Sequence, residues 1–255
     1  MKLILLIINV ILFILSIIYF LLSILIINLL LYLRFKRSSL IKLTLPFFWL
    51  INLTFYKRIN YDKNSLLNQK VNLVNSNHFH NFDWIILFIF FYNNNVREEE
   101  ITSISSFEKS FNFDNLVFKA YDSILIDNKG LSFNFNKKII KYKNSKYKRY
   151  LICFFEGMAL NHNHKNDKLI LEPKSIIYQK LKKVLYNYKF NDITLVYLYK
   201  NKLLNPKDKY FILKFLSPDC NIKIINNTYI FDDNTNLKEI YKNKEILLKT
   251  YRSYK

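Results

Sequence analysis

Acidic residues are scarce in this 255-residue chain. Nineteen Asp and Glu stand against 39 Lys and Arg, a formal net charge of +20. Such a chain seeks anionic partners: nucleic acid, an acidic membrane surface or a phosphate-bearing substrate. Cysteine is scarcer still. Cys153 and Cys220 set no disulfide framework and have no metal-ligand spacing, and Cys153, inside "LICFF", reads as a small buried hydrophobe. No charged residue occurs between Leu3 and Leu33, and no alanine precedes Ala120. The first absence marks a segment that belongs in lipid. The second removes the small-residue cleavage site of a signal peptide, whose apolar region is also shorter, at about 7–15 residues. No G-x-S-x-G appears, so a serine nucleophile elbow is not expected.

What is present begins with that apolar run, "LILLIINVILFILSIIYFLLSILIINLLLYL". About 20 residues at about 1.5 Å each cross the roughly 30 Å hydrocarbon core, so this run exceeds one perpendicular span. It is expected to be a retained anchor, either one tilted membrane-anchoring helix or a re-entrant helix pair. Lys2 precedes it and Arg34, Lys36, Arg37 and Lys42 follow. That bias puts the rest of the chain on the cytosolic side. A second patch, "LTLPFFWLINLTF" from Leu43 to Phe55, is too short to span and reads as an interfacial segment with Pro46 within it. The lysines elsewhere are scattered and accompany no recognition motif, so no nucleic-acid partner is expected. The chain divides into a membrane anchor with its interfacial segment, residues 1–56, and a catalytic domain, residues 57–255.

Aromatic residues make up 17% of the chain, enough apolar surface for an ordered core. "KVNLVNS" (Lys70 to Ser76), "SILIDN" and "YLICFF" read as strands, and Trp84 to Tyr92 as a buried helix. "KSIIYQKLKKVLYNY" puts Ile177, Leu181, Val184, Leu185 and Tyr188 at helical spacing. Three strands are expected next, "ITLVYLY", "KYFILKFL" and "IKIINNTYIF", then a last amphipathic helix with Leu237, Ile240 and Leu247 near one face. The fold class is α/β, a mixed sheet flanked by helices.

"NSNHFHNFDW" packs His78, His80 and Asp83 ahead of an apolar run. On one continuous helix, His78 and Asp83 would lie well apart around the axis. With a strand ending at Ser76 and a helix starting near Asn81, the turn folds back and Asp83 comes beneath the imidazole. Asn81 is the expected N-cap, and Asp83 suits the positive end of the helix dipole. A carboxylate holding one ring nitrogen leaves the other free to act as a general base toward an alcohol. His80 is expected to point elsewhere. His162 and His164 in "NHNH" have only Asp167 as a nearby acidic partner and read as a polar loop, so no metal is expected.

"NHFHNFDW" resembles the N-H-x-x-x-x-D-W signature of the glycerolipid acyltransferases, and further blocks follow in order. "SILIDN" resembles a second block ending near I-F-L-D-R. "ICFFEGMALN" resembles F-P-E-G-T, with Gly157, one of only two glycines, in place. "LEPKS", "DITLVY" and "LKEIYKNKEILLKTY" resemble H-P-R-T, D-V-T-I-A-Y and the late W-L-Y-x-x-F-x-x-K-D-x-L-L-x-x-F helix of the lysocardiolipin and lysophosphatidylinositol branch. The chain departs from the pattern at Phe155, Met158 and Asn128, where the family has proline, threonine and arginine.

The resemblance implies a membrane-bound enzyme that moves a fatty acyl chain from acyl-CoA to the free hydroxyl of a lysophospholipid. The acceptor would be lysophosphatidic acid or a lysophosphatidylinositol or lysocardiolipin type. His78 is implied as the general base and Asp83 as its orienting carboxylate. Glu156, Gly157, Lys129 and Lys174 are implied as substrate-binding residues. Acyl-CoA enters as co-substrate, with no further cofactor, and the expected location is the endoplasmic reticulum membrane. Two other classes stay open: a catalytically inactive lipid-binding member of the same fold, and a metal-dependent hydrolase.

Overall fold

The computed structural model describes residues 1–61, 66–80, 82–106, 113–126, 135–156, 169–173 and 175–252. It opens with α1 (Lys2–Tyr32), followed by the short turn α2 (Arg37–Leu40) and by α3 (Leu45–Thr54), whose Pro46 sits in the first turn, where no amide donor is required. Strand β1 (Ile59–Asn60) leads to β2 (Val71–Ser76), α4 (Asp83–Asn93), β3 (Ile101–Ser106), α5 (Phe113–Ala120) and β4 (Ile124–Ile126). Next come α6 (Phe135–Lys143), β5 (Arg149–Cys153), α7 (Ser175–Val184), β6 (Lys189–Tyr199), β7 (Lys202–Leu203), α8 (Phe211–Leu216), β8 (Cys220–Ile230) and α9 (Leu237–Arg252).

The strands form one sheet in the order β1-β8-β6-β2-β5-β3-β4, with β7 paired on β6. Pairs within β6-β2-β5-β3-β4 are parallel, whereas β8 runs antiparallel to β6 over their whole length. The sheet is therefore mixed and flanked by helices, as expected from the sequence. Strand alternation sorts its two faces. Val74, Ile193, Leu195 and Tyr197 face a layer built from α1, α3, α4 and α8. Leu73, Phe190, Val196 and Leu198 face α6, α7 and α9. Helix α4 lies between the sheet and α1 and α3, which is why it is apolar almost all round, with Ile85 to Phe91 buried.

The apolar N-terminal run is one continuous helix, not a re-entrant pair. Its buried stripe is Phe13, Ser16, Phe20, Ser23, Ile24, Ile27 and Asn28, a helical periodicity, and α3 folds back beside it with Phe20 and Phe47 rings 4.6 Å apart. Each buried Phe or Ile on that stripe contributes about 1.5–3 kcal/mol. Contacts to the rest of the chain run the full length of α1. Lys2 Nζ pairs with Asp219 Oδ1 at 2.8 Å, Asn9 donates to the Leu216 carbonyl, Phe20 meets Trp84, and Asn28 donates to the Leu116 carbonyl. The opposite face leaves Ile4, Ile8, Ile11, Leu15, Leu22 and Ile26 exposed.

Two sequence expectations change. "KYFILKFL" is helix α8, not a strand. Ser217 and Pro218 end it, and Phe211, Phe215 and Leu216 bury at helical spacing while Ile212 and Leu213 point outward. On α9 the buried face is Leu237, Ile240, Tyr241, Lys244 and Leu248, with Leu247 only half-buried.

Candidate active site

Strand β2 lies at the centre of the sheet, and the chain enters its two parallel neighbours, β5 and β6, only later. Beyond the carboxyl end of such a strand, the loops diverge and leave a crevice. Asn77 fastens this end: its amide donates to the Leu195 carbonyl and accepts from the Leu195 N–H at 2.7 Å, carrying the β2–β6 ladder one step further through a side chain. His78 follows immediately.

The turn brings His78 and Asp83 together, with Nδ1 and Oδ2 3.2 Å apart. Asp83 is the first residue of α4 and is fully buried, and its Oδ2 also accepts the His80 N–H at 2.9 Å. Its other oxygen accepts the Tyr197 hydroxyl at 2.5 Å. The carboxylate is thus held by donors on both sides, and its contact with Nδ1 fixes the tautomer that leaves the His78 Nε2 lone pair available. The imidazole is stacked on Phe154 (4.1 Å between centroids, 18° between planes), and its side chain is 18% exposed. The cap position of α4 is Phe82, not the expected Asn81, which lies outside the described residues. The His80 ring turns away and lies flat on Phe211, 4.1 Å between centroids. Its backbone amide contributes to the site, a role the sequence did not indicate.

Glu156, just beyond β5, was expected to meet substrate. Instead it is 2% exposed, with Oε1 accepting the His78 N–H at 3.2 Å and Oε2 accepting the Leu171 N–H at 3.4 Å. Its carboxyl braces the backbone of the histidine from within, because that amide leaves the ladder with no strand partner. Burial pushes the Glu156 carboxyl up to about 8, outweighing Lys244 and the two amide donors. Gly157, Lys129, Lys174, His162, His164, Asn128 and Met158 lie outside the described residues. Phe155, where the resembled pattern has proline, donates its N–H to Asn75 Oδ1 at 3.1 Å, a bond proline could not make.

Beneath this turn, on the α9 side of the sheet, lies a second polar cluster that the sequence did not disclose. Asn75 Nδ2 donates to Asp192 Oδ1 at 2.6 Å, and Lys244 Nζ lies 2.7 Å from the same oxygen. Asp192 and Lys244 are both buried, and burial raises the Asp192 carboxyl despite the lysine beside it. Asp192 and Lys244 fall in "DITLVY" and "LKEIYKNKEILLKTY", so two distant sequence blocks meet under the site. Among the described residues no three metal-ligating side chains gather at one point.

Chemically, the geometry offers an imidazole held in one orientation by a buried carboxylate, at the carboxyl end of a central strand. No protein-family model matches the chain, and no curated protein does. Among solved structures the chain superposes on the 1-acyl-sn-glycerophosphate (LPA) acyltransferase PlsC from Thermotoga maritima, with a TM-score of 0.54 and 12% identity. The match covers 95% of this chain and 94% of that one. From α1 to α9, the chain has the fold of that acyltransferase.

Proposed function

We propose that the chain is a membrane-bound O-acyltransferase that transfers a fatty acyl group from acyl-CoA to the free hydroxyl of a lysophospholipid. The observation that carries this reading is the His78–Asp83 contact at the carboxyl end of β2, in a fold shared with an acyltransferase. His78 Nε2 takes the proton of the acceptor hydroxyl, and the oxygen attacks the thioester carbonyl. Collapse of the tetrahedral intermediate expels the coenzyme A thiolate, which takes the proton back from the imidazolium. Asp83 keeps the ring oriented and stabilises its charged form. A base placed in this way supplies roughly 10²- to 10⁴-fold, and holding both substrates in one crevice supplies more. Glu156 acts through the His78 backbone. Gly157, Lys129 and Lys174 stay assigned to substrate on the strength of the sequence pattern, and the acceptor is lysophosphatidic acid or a lysophosphatidylinositol or lysocardiolipin type.

Membrane contact follows from α1. Thirty-one residues extend about 46 Å at 1.5 Å per residue, and both ends are fastened to the same folded body. A helix held in this way cannot cross the bilayer without dragging charged surface into hydrocarbon, so it lies along the membrane with its bare apolar face in the lipid. The exposed Trp49 and Leu53 of α3 and Ile212 and Leu213 of α8 extend that face. Residues 1–56, joined by the tip of α8, are then the lipid-facing part, and residues 57–255 carry the chemistry. The net charge of +20 suits the anionic cytosolic leaflet, here that of the endoplasmic reticulum.

Membranes bearing the protein, supplied with radiolabelled acyl-CoA and a panel of lysolipids, test this reading. Labelled diacyl phospholipid is expected, unaffected by chelators. Release of free fatty acid or phosphate that stops on chelation would indicate a hydrolase. No product with any acceptor would leave a lipid-binding protein.

A further inference from the structure

Asp83 is a fully buried carboxylate, and among the described residues no lysine or arginine pairs with it. An ion in such a place holds its charge only if donors satisfy its oxygens; otherwise it takes up a proton. Oδ2 has two donors, the His78 ring and the His80 amide. For Oδ1 the donor is the Tyr197 hydroxyl. Tyr197 reaches it from β6, and its ring is fixed by Phe79, Phe211 and Phe215, with centroids 5.4, 6.3 and 5.7 Å away. Tyr197 is 1% exposed, so its hydroxyl is closed off from bulk solvent.

We propose that Tyr197 is a positioning residue of this site, the third member of a hydrogen-bonded line that runs Tyr197, Asp83, His78; the proposal rests on the acyl-transfer reading. The hydroxyl does two things. It gives Oδ1 of Asp83 its own donor, so that Oδ2 is left to accept from the His78 ring, with the proton on Nδ1 and the lone pair on Nε2. It also fixes the plane of the carboxylate, because Oδ1 is held from β6 and Oδ2 from the β2–α4 turn. A hydrogen bond to a charged group in a dry site is stronger than one between neutral partners. An ordinary buried tyrosine would be equally satisfied by a backbone carbonyl; this one spends its only donor on the carboxylate that touches the base.

The charged and titratable groups around Asp83 set the sign of the effect. His78 and His80 face it from the β2–α4 turn, and Tyr197 faces it from β6. Glu156 lies behind His78, with Lys244 of α9 beyond it, and Cys220 of β8 lies beside Tyr197. Removing the hydroxyl leaves the cation count unchanged and weakens only the ionised form of Asp83. The acid limb of the activity profile then moves to higher pH.

The test is Tyr197→Phe in the full chain, in membranes, with kcat, KM and the pH profile measured beside His78→Ala. The expected result is a fall in kcat of roughly 10- to 100-fold, an unchanged KM for acyl-CoA, and an acid limb moved to higher pH. A fluorinated tyrosine at position 197, a stronger donor of nearly the same shape, is expected to move that limb to lower pH and serves if the phenylalanine variant does not fold. Wild-type kcat and an unmoved limb in both variants, with His78→Ala inactive, would overturn the role of Tyr197 alone. A loss of kcat that tracks loss of thermal stability with the limb unmoved would overturn it too. If His78→Ala itself keeps full activity, the acyl-transfer reading fails instead.

Discussion

His78 Nδ1 and Asp83 Oδ2 lie 3.2 Å apart because a strand ends before the first and a helix begins at the second. Neither element alone could pair them. On a helix the two side chains would diverge, and on a strand they would point to opposite faces. The pair exists only at the junction, and Asp83 occupies the helix end where a negative charge is favoured.

Asp83→Asn keeps the shape of that junction but turns an amide toward Nδ1, favouring the tautomer with the proton on Nε2. Acyl transfer is expected to drop roughly 10²- to 10⁴-fold with KM for acyl-CoA little changed. Saturation kinetics on purified membranes read both quantities. A rise in KM alone would mean that Asp83 serves binding.

The buried ion pair of Asp192 and Lys244 makes a stability prediction. Lys244→Met strands a buried carboxylate and is expected to cost about 3–5 kcal/mol. Adding Asp192→Asn in the same chain restores most of the loss, since the orphaned charge is gone. Denaturant unfolding in detergent of the single and double variants measures the difference. Equal stability in the single variant and the wild type would show that water already reaches Asp192.

Glu156 sets a pH trend. Its folded carboxyl lies near pH 8, above its ordinary 4.5, so the folded state holds a proton that the unfolded state releases between those values. Its stabilising contribution is complete below about pH 4.5 and declines as pH rises toward 8, by at most about 1.4 kcal/mol per unit. Unfolding midpoints across that window are expected to fall with pH in the wild type, and to fall less steeply in Glu156→Gln. Parallel slopes would place the titrating group elsewhere.

The exposed apolar tip of α8 predicts a difference between substrate forms. Ile212→Asp with Leu213→Asp is expected to lower transfer to lysolipid in vesicles by roughly tenfold, while transfer to a short-chain lysolipid dissolved as monomer stays near wild type. Equal loss on both would mean that α8 shapes the site and does not contact lipid.

Much of the frame was legible because it is written in local pattern. Lys70 to Ser76, "ITLVYLY" and the Trp84 helix declare themselves by apolar runs of characteristic length, and the His78–Asp83 turn by its polar residues between two such runs. "KYFILKFL" misled because aromatic and branched residues favour strands, while its packing of Phe211 and Phe215 against Tyr197 favours a helix. Strand β3, "ITSISS", carries little apolar signal and is recognised only by its place between β5 and β4. The remaining site residues were hidden by distance along the chain. Tyr197 lies 114 residues from the carboxylate it holds, and Lys244 looks like one more surface lysine until α9 turns it inward. Glu156 was legible as part of a motif but not as a brace for His78, since only the fold sets which backbone amides lack a partner.

The central claim is that an imidazole at position 78 removes the acceptor's proton. Incorporation of label from acyl-CoA into a lysophospholipid, compared between membranes carrying equal amounts of wild type and His78→Ala, tests it most directly. The account predicts transfer by the wild type and a loss of at least about 10²-fold in the variant, with membrane association unchanged. Undiminished transfer by the variant would contradict it.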